Sequence, residues 1–308
     1  MARRPSRRKG YGDVNGILLL NKPLGISSNK ALQAARNIFR AQKAGHTGSL
    51  DPLATGLLPV CFGEATKYSG YLLDSSKRYH AHCKLGVTTT TGDGEGDILS
   101  ERPVDVSSAQ IEQLLQQFKG KIQQTPPMHS AVKHEGERLY NLARQGIEVE
   151  RKSREIEIYQ LDLLNFEDDV LELDVHCSKG TYIRTLAEDI GEALGCGAYL
   201  TELERTGVQP FWDDKSWTLD ELREISDDEN RDLADCLLPL ESALRDWPVV
   251  ELTPDMSFYI LQGQPVQVPQ SPTEGLVRLM DEKQGFIGLG HILSDGRVAP
   301  KRMLRSAS

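Results

Sequence analysis

Residues 45–59 constrain the fold of this chain more than any other segment. They read Gly-His-Thr-Gly-Ser-Leu-Asp-Pro-Leu-Ala-Thr-Gly-Leu-Leu-Pro, with three glycines, two prolines and one acid between apolar segments. Glycine and proline at this density interrupt helices and strands, so the composition predicts a shaped loop. The acid, Asp51, precedes Pro52, which biases the Asp51 backbone away from the helical region and removes the next amide donor. An ordinary Asp-Pro turn and a carboxylate held out for chemistry both fit this pattern.

The composition excludes several classes of protein. No run approaches eighteen apolar residues, and the basic start is not followed by an apolar segment, so we expect neither a membrane span nor an export signal. The five cysteines are widely spread and never form a Cys-x-x-Cys pair, which argues against a disulfide framework and a structural zinc site. The 308 residues suffice for one large domain and one small domain in a cytoplasmic protein.

The net charge of −9 is unevenly distributed along the chain. Residues 1–50 contain ten Lys or Arg and one acid, whereas residues 212–246 contain twelve acids and four bases. The first dozen residues lack apolar periodicity and predict a disordered basic tail, which either contacts phosphate or has no role. The acidic segment predicts a solvated helical connector that RNA would avoid, so an RNA-binding surface is expected elsewhere.

Apolar periodicity predicts mixed secondary structure along the rest of the chain. Strands are expected at 16–20, 57–62, 79–87, 156–164 and 170–177, and helices at 28–39, 65–73, 107–118, 137–145 and 181–194. Ser28 or Asn29 is the expected cap of the first helix. Because strands outnumber crossover units, we predict an α+β fold with a mixed, largely antiparallel sheet flanked by helices. The turn residues beyond Pro248 predict a small β-barrel or sandwich.

Two groups of polar residues have the composition of metal sites. Residues 88–97 carry three acids, but they lack the glycine at the sixth position and the glutamate at the twelfth position of a calcium loop. His80 and His82 share one face of a predicted strand, and the sequence offers no third ligand near them. We therefore expect no metal at either place.

The loop of residues 45–59 closely resembles the catalytic loop of the TruB family of tRNA pseudouridine-55 synthases, in its bacterial type. The match has no gap and continues to Thr66. Four further blocks resemble the family in the expected order, at 20–28, 77–79, 126–133 and 180–184. Residues 274–304 are similar to the C-terminal PUA-like RNA-binding module of bacterial members.

The resemblance implies a pseudouridine synthase fold followed by a small C-terminal β-rich PUA-like domain. It leaves only the first dozen residues and the acidic segment without a counterpart in the family. We therefore expect four parts: a disordered basic tail at 1–12, a catalytic domain at 13–211, an acidic helical connector at 212–247 and a PUA-like RNA-binding domain at 248–308.

The reaction that the resemblance implies is the isomerisation of uridine to pseudouridine. It breaks a carbon–nitrogen glycosidic bond, turns the base over and rejoins it through carbon, with nothing added and no net redox change, so no cofactor is required. It needs an ionised carboxylate against the sugar or base and a pocket that retains the detached uracil. Asp51 is the catalytic nucleophile by resemblance. Attack on the base, attack on the sugar and elimination at the ribose all remain open.

Two further catalytic residues are implied by the resemblance. Arg184 is the ion-pair partner of Asp51, and a guanidinium within hydrogen-bonding range favours the charged carboxylate and fixes its orientation. From spacing alone, Arg184 could instead pair with Glu188 at i+4. Tyr79 is the ring that stacks on the extruded uracil and moves a proton during rearomatisation, although an aromatic residue in a strand is usually part of the core.

The resemblance also implies four substrate-binding residues, namely His46, Lys22, Tyr182 and Leu203. In the family, the His46 position inserts into the T-loop where the target base had been, although a lone histidine in a turn often braces the loop. Lys22 is either a basic group near the active cleft or a solvated turn residue. Leu203 either lines the uracil pocket or simply packs in the core.

These implications converge on a stand-alone isomerase that modifies position 55 in the TΨC arm of tRNA. Its expected partner is the T-arm stem-loop of tRNA, with no membrane and no required protein partner, and the expected state is a monomer. One alternative is the guide-RNA-dependent relative of archaea and eukaryotes, which the Leu-Ala-Thr-Gly-Leu-Leu-Pro-Val continuation disfavours. Another is a tRNA-binding chaperone or ribosome-assembly factor that does not catalyse.

Overall fold

The computed structural model describes residues 11–130 and 132–304, so most of the predicted basic tail lies outside the described residues. The helices are α1 Ser28–Phe39, α2 Ser69–Leu73, α3 Ser108–Leu115, α4 Leu139–Arg144, α5 Ile183–Ala193, α6 Leu219–Asp227 and α7 Pro254–Leu261. The strands are β1 Gly16–Lys22, β2 Ala44–His46, β3 Ala54–Phe62, β4 Lys77–Leu85, β5 Val87–Thr89, β6 Ile98–Glu101, β7 Gly120–Gln124, β8 Lys133–His134, β9 Glu137–Arg138, β10 Arg154–Glu167, β11 Val170–Cys177, β12 Ala198–Val208, β13 Leu237–Leu238, β14 Val249–Leu252, β15 Leu276–Asp281, β16 Gly285–Ile292 and β17 Val298–Met303.

One large sheet organises the first three quarters of the chain. Its strand order is β13-β1-β3-β12-β4-β11-β10-β7, and β2 pairs with β3 beside this path. Every pairing in it is antiparallel except that between β3 and β12. Helices α3 and α5 pack against the half around β4, β10 and β11, and helices α1 and α6 against the half around β1 and β3. The predicted α+β class with a mixed, largely antiparallel sheet is confirmed.

The segment 45–59 is a loop only in its middle. Strands β2 and β3 take up its two ends, so the loop predicted over 45–59 was too long and residues 47–53 alone are irregular, while the strand predicted at 57–62 is present within β3. Pro59 fits within β3 because its carbonyl accepts from the Thr47 amide rather than from strand β1. The N–H and C=O groups of one residue point to the same side of a strand. At Pro59 that side faces away from β1, so the missing N–H costs no hydrogen bond to β1.

Helix α5 packs very closely against strand β12. A Cβ atom at Gly191 would lie 2.2 Å from the Ala198 nitrogen, so only glycine permits this approach. The inner face of the helix is apolar and buried, and Arg184 lies on its first turn. The packing therefore fixes the point at which the Arg184 side chain leaves the helix.

The acidic segment is more closely attached to the sheet than a solvated connector would be. Strand β13 pairs with β1, and the Trp217 amide donates to the Leu19 carbonyl at 2.8 Å. Leu222 and Ile225 of α6 are buried in the same cluster as residues of α1. The acids occupy the outer side of this segment and its apolar residues face the protein, so only part of the segment is solvated. Only part of it is helical as well.

Strands β14 to β17 and helix α7 form the predicted small β-rich region at the C-terminus. The four strands make one sheet, with β14 and β15 parallel, rather than a sandwich of two sheets. Residues of this region also contribute to the core beneath β1 and β3, where the Tyr68 ring lies 5.7 Å from the Phe286 ring. Within the described residues, no helix is long and apolar enough to cross a bilayer.

Candidate active site

The loop at 47–53 is held from one side by the turn that precedes helix α1. Ser27 caps this helix, in place of the predicted Ser28 or Asn29. The Ser28 hydroxyl instead donates to the Leu50 carbonyl at 3.0 Å and accepts from the Leu50 amide at 2.7 Å. The Gly25 amide donates to the Pro52 carbonyl at 2.8 Å. Both neighbours of Asp51 are thereby fixed, while the Asp51 side chain stays 47% exposed.

A buried arginine on strand β12 also holds this loop. The Arg205 guanidinium donates to the Leu57 carbonyl at 2.7 Å and to the Gly48 carbonyl at 3.2 Å. A Cβ atom at Gly56, whose φ is +93°, would lie 2.4 Å from the Arg205 carbonyl oxygen, so a side chain at that position would separate the two strands. Arg205 was not identified from the sequence, because nothing local distinguishes it from a surface arginine on a strand.

Arg184 reaches Asp51 from the first turn of α5. Its Nη2 atom lies 3.0 Å from the Asp51 Oδ2 atom, and the Arg184 side chain is only 5% exposed. The same guanidinium donates to the Thr91 carbonyl at 2.9 Å and to the His129 carbonyl at 2.7 Å. The segments of Thr91 and His129 therefore orient Arg184, and Arg184 in turn orients the exposed carboxylate.

A second carboxylate completes this network. Asp93 Oδ2 lies 3.5 Å from the Arg184 Nε atom, and Asp93 is almost fully buried. Its other contacts are the Thr91 hydroxyl at 2.5 Å and the Glu95 amide at 3.1 Å. From the sequence, Asp93 was considered only as a possible calcium ligand. Its pairing with a residue 91 positions away has no local signal.

Tyr79 lies in the middle of the sheet, beside this network. In the register of β4 and β12 it faces Arg205, and the two side chains are hydrogen-bonded. Burial raises the pKa of the Tyr79 hydroxyl, and Arg205 opposes that rise. Leu203 lies on β12 between Ala81 and Ala54 and, like Leu53, is partly buried against the same core. An aromatic ring and two apolar side chains thus lie close to the exposed carboxylate.

Two more predicted site residues are neighbours in sequence of parts of this site: His46 directly precedes the loop, and Tyr182 lies two residues before Arg184. His46 ends strand β2, and its Nδ1 atom is buried without a hydrogen-bond partner in the described part of the chain. Burial lowers the pKa of His46, and the charges of Arg205 and Arg138 lower it further, so the imidazole is neutral near pH 7. Tyr182 caps α5, and its two backbone groups bond the Gln124 side chain.

Lys22 lies near Asp51 and is not the solvated turn residue that the sequence left open. It is fully buried, and its Nζ atom donates to the Pro23 carbonyl at 2.8 Å and to the Ile26 carbonyl at 2.7 Å. Burial lowers its pKa to about 8, although Asp51 nearby opposes the change. This placement favours a role in shaping the turn that holds the loop over the predicted direct contact with substrate.

His80 and His82 have a third potential ligand beside them, which the sequence did not reveal. Glu172 on strand β11 brings a carboxylate within 2.9 Å of the His80 Nε2 atom, so a third potential ligand is present. Strand register, which local sequence does not reveal, brings these residues together. They lie on the face of β4 opposite to Tyr79 and are separate from the site around Asp51.

The geometry around Asp51 defines a class of protein. A half-exposed carboxylate held by a buried guanidinium, beside an aromatic ring and apolar side chains, suits covalent or acid–base chemistry on a flat ring. The loop that carries the carboxylate is anchored through backbone bonds, so the group is held in position before substrate arrives. These features indicate an enzyme that modifies a substrate containing a planar ring.

Comparison with known proteins identifies the family. Residues 36–183 match the TruB family pseudouridylate synthase N-terminal domain, residues 184–245 the tRNA pseudouridylate synthase B C-terminal domain, and residues 248–304 the pseudouridine synthase II TruB C-terminal region. The tRNA pseudouridine synthase B of Nitrosococcus oceani is 53% identical over 303 residues, which cover 98% of each chain. That of Pseudomonas fluorescens is 54% identical over 295 residues, covering 96% of this chain and 97% of the relative. This chain belongs to the TruB family of pseudouridine synthases.

Solved structures agree with this assignment. A chain of a Cbf5-Nop10-Gar1 complex superposes with a TM-score of 0.73 at 27% identity, covering 94% of this chain and 84% of that chain. A chain of an H/ACA RNP bound to a substrate RNA containing 2'-deoxyuridine gives a TM-score of 0.71 at 25% identity, with 94% and 85% coverage. The pseudouridine synthase fold that the sequence resemblance implied is confirmed.

Proposed function

We propose that this protein converts uridine 55 in the T-loop of tRNA to pseudouridine, with Asp51 as the nucleophile. The observation that carries the proposal is the placement of Asp51, which is half exposed and lies 3.0 Å from a buried guanidinium on a loop fixed at both neighbouring residues. Near-complete coverage by relatives named tRNA pseudouridine synthase B supports a tRNA substrate.

The residues of the site have separate roles in this reaction. Asp51 supplies the carboxylate that breaks the glycosidic bond, and Arg184 holds that carboxylate in one orientation. The Tyr79 ring stacks on the extruded uracil, and Leu53 and Leu203 keep the detached base from leaving. Because burial raises the pKa of Tyr79, its hydroxyl remains protonated and can donate a hydrogen bond to the base. The atoms of substrate and product are the same, so no cofactor is consumed.

The target base must leave its stack before Asp51 can reach it. His46 stands at the end of β2, at the entrance of the loop, with a neutral ring that can enter the vacated space without burying a charge. Tyr182 borders the same cleft from the start of α5. The PUA-like region at 248–308 contributes a second RNA-binding surface.

The protein acts as a monomer in the cytoplasm and needs no protein partner for this reaction. Size-exclusion chromatography with light scattering checks the first point, with a mass near the 34.3 kDa of one chain as the expected result. Pseudouridine formation by the pure protein on a tRNA transcript checks the second. A requirement for a guide RNA or for an added protein would contradict it.

A single substitution tests the assignment of the nucleophile. Wild type, Asp51→Asn and the control Asp105→Asn, which alters an exposed loop carboxylate, are incubated with unmodified tRNA transcript in the presence of chelator. Pseudouridine is mapped by carbodiimide-blocked primer extension. We expect a stop at the T-loop uridine for wild type and Asp105→Asn and none for Asp51→Asn, while Asp51→Asn still binds the T-arm stem-loop. Product formation by Asp51→Asn, or a stop only at another position, would contradict the proposal.

Affinity for the T-arm stem-loop should also depend on salt. Basic side chains that contact phosphates release counterions, so the dissociation constant of the complex is expected to rise with the salt concentration. A filter-binding series with inactive Asp51→Asn measures this without turnover. An affinity that stays constant over a broad range of salt would argue against an interface dominated by phosphate contacts.

A further inference from the structure

The outer face of strand β4 carries two histidines in a precise arrangement. Burial alternates along β4, so His80 and His82 lie on the face opposite to Tyr79 and Ala81. Their ring centroids are 5.1 Å apart and the ring planes are nearly perpendicular, at 76°. Each side chain is about one third exposed, at 30% and 32%, so solutes can reach both.

The two neighbouring strands bring carboxylates to these rings. Glu172 of β11 faces His82 in the register, and its Oε1 atom extends diagonally to within 2.9 Å of the His80 Nε2 atom. Glu202 of β12 faces His82 from the other side, and its Oε2 atom lies 4.0 Å from the His82 Nδ1 atom. Both histidines are therefore bordered by acids on strands that are paired with β4.

We propose that His80, His82 and Glu172 form a binding site for a divalent transition metal ion such as Zn²⁺, with Glu202 or water as the fourth ligand. One nitrogen or oxygen atom of each of the three residues lies within 4.8 Å of the others. Ligand atoms at about 2.0–2.2 Å from a tetrahedral zinc ion lie about 3.4 Å apart, so small side-chain rotations suffice to close the site. Two imidazoles and one carboxylate suit zinc, whereas calcium and magnesium prefer oxygen alone.

The backbone makes this cluster different from an exposed group of polar side chains. His80 and His82 are two residues apart on a strand that is paired along its length on both sides, so their Cα positions are fixed. Glu172 is fixed by the same sheet, and only side-chain torsions must be ordered when the metal binds. A solvated hydrogen bond between His80 and Glu172 contributes little by itself, whereas a shared metal ion would link β4 to β11 directly.

Direct titration with Zn²⁺ tests the proposal. Full-length protein without a polyhistidine tag is stripped with chelator, and binding is followed by calorimetry for wild type, His82→Gln, Glu172→Gln and the control His134→Gln, which lies outside the cluster. We expect one equivalent to bind to wild type and His134→Gln. We expect affinity at least about tenfold lower in the other two variants, since even the loss of an outer-shell partner of a metal ligand costs about that much.

Two further measurements distinguish this site from other sources of binding. Added Zn²⁺ should raise the Tm of wild type and His134→Gln but not that of His82→Gln, while all the proteins share the same Tm in chelator. Co²⁺ should give the visible spectrum of a tetrahedral site with nitrogen and oxygen ligands. Binding of less than one equivalent by wild type, equal affinity in His82→Gln, or a thiolate charge-transfer band from one of the cysteines would each overturn the proposal.

Discussion

Two buried arginines hold the loop that carries Asp51, and their surroundings differ. Arg184 contacts two carboxylates, Asp51 and Asp93, together with two backbone carbonyls. Arg205 contacts the carbonyls of Gly48 and Leu57 and the Tyr79 hydroxyl, and in the described part of the chain no carboxylate forms an ion pair with it. One guanidinium is thus compensated by charge and the other only by dipoles.

This difference indicates two separate tasks. The charge of Arg184 is directed at Asp51, the proposed nucleophile, with Asp93 balancing the excess. The charge of Arg205 acts on several neighbours instead. Burial lowers the pKa of Lys22, His46 and Lys77, and Arg205 lowers each of them further and opposes the rise at Tyr79. A buried cation without a carboxylate is costly, so its hydrogen bonds to the loop backbone are essential to its retention. We infer that Arg184 orients the chemical group, whereas Arg205 holds the frame and sets the local potential.

The largest effect on the reaction rate is expected when Arg184 loses its planar guanidinium group. Arg184→Lys keeps the charge, but an ammonium group cannot contact Asp51, Asp93 and two carbonyls from one position. The carboxylate would shift relative to the substrate, and a displacement of about 1 Å costs on the order of 100-fold in rate. Single-turnover pseudouridine formation should therefore fall at least about 100-fold, while the Kd for the T-arm stem-loop changes little. A rate within about threefold of wild type would show that charge alone suffices.

Removing the balancing carboxylate should have a smaller effect. Asp93→Asn can keep the hydrogen bond with the Thr91 hydroxyl but removes a negative charge from the Arg184 network. Arg184 would then bind Asp51 more tightly and make it a weaker nucleophile, so we expect a single-turnover rate lower by about tenfold, or about 1.4 kcal/mol.

A double-mutant cycle sharpens the comparison between the two arginines. Asp93→Asn should show strong coupling with Arg184→Lys, because the two residues share a contact. Its effect should add to that of Arg205→Met, because no contact joins Asp93 and Arg205 in the described part of the chain. Equal coupling in both cycles would mean that the two arginines belong to one network.

The sequence predicted the parts of this site that lie in one continuous segment. The pattern of residues 45–59 identified Asp51, and the strand and helix periodicities located β4 and α5 close to their observed bounds. Arg184 was paired with Asp51 only through family resemblance, since spacing alone favoured a pair with Glu188 at i+4. Local pattern and a family motif were sufficient to propose a nucleophile on one short loop, and its role stays a prediction.

The sequence did not predict contacts that depend on strand register, and the reason is physical. Arg205 meets Leu57 across 148 residues, and Glu172 meets His80 across 92, so neither contact leaves a trace in local periodicity. Gly56 was interpreted as a loop residue, and Pro59 fell within both the predicted loop and the strand predicted at 57–62, because the pattern could not show that the Pro59 nitrogen lies away from strand β1. Tertiary pairing overrode local preference in these cases.

Substitution of Arg205 should affect the stability of the fold more than the rate of the reaction. Arg205→Met leaves the carbonyls of Gly48 and Leu57 without their donor but also removes a buried charge, so we expect the free energy of unfolding to fall by about 2 kcal/mol. The pKa of His46 should rise toward its ordinary value in Arg205→Met and stay lowered in Arg184→Lys, because Arg205 is one cause of the shift. Histidine titration by NMR measures this. An unchanged His46 pKa in Arg205→Met would contradict the assigned role of Arg205.

The smallest effect concerns Lys22, whose pKa of about 8 in the folded protein lies below the ordinary 10.5. The folded state therefore loses this proton at lower pH than the unfolded state, and the Lys22 contribution to the free energy of unfolding increases as the pH rises from about 8 to about 10.5. Between pH 7 and pH 9 the gain is about 1 kcal/mol. In Lys22→Met this gain is absent, whereas Lys77, whose pKa is also lowered to about 8, contributes equally to both proteins. The difference in unfolding free energy between wild type and Lys22→Met, measured with urea across this pH range, should thus grow in favour of wild type. A difference that stays constant would mean that Lys22 keeps its proton in the folded protein, and that burial in the turn that braces Asp51 does not lower its pKa.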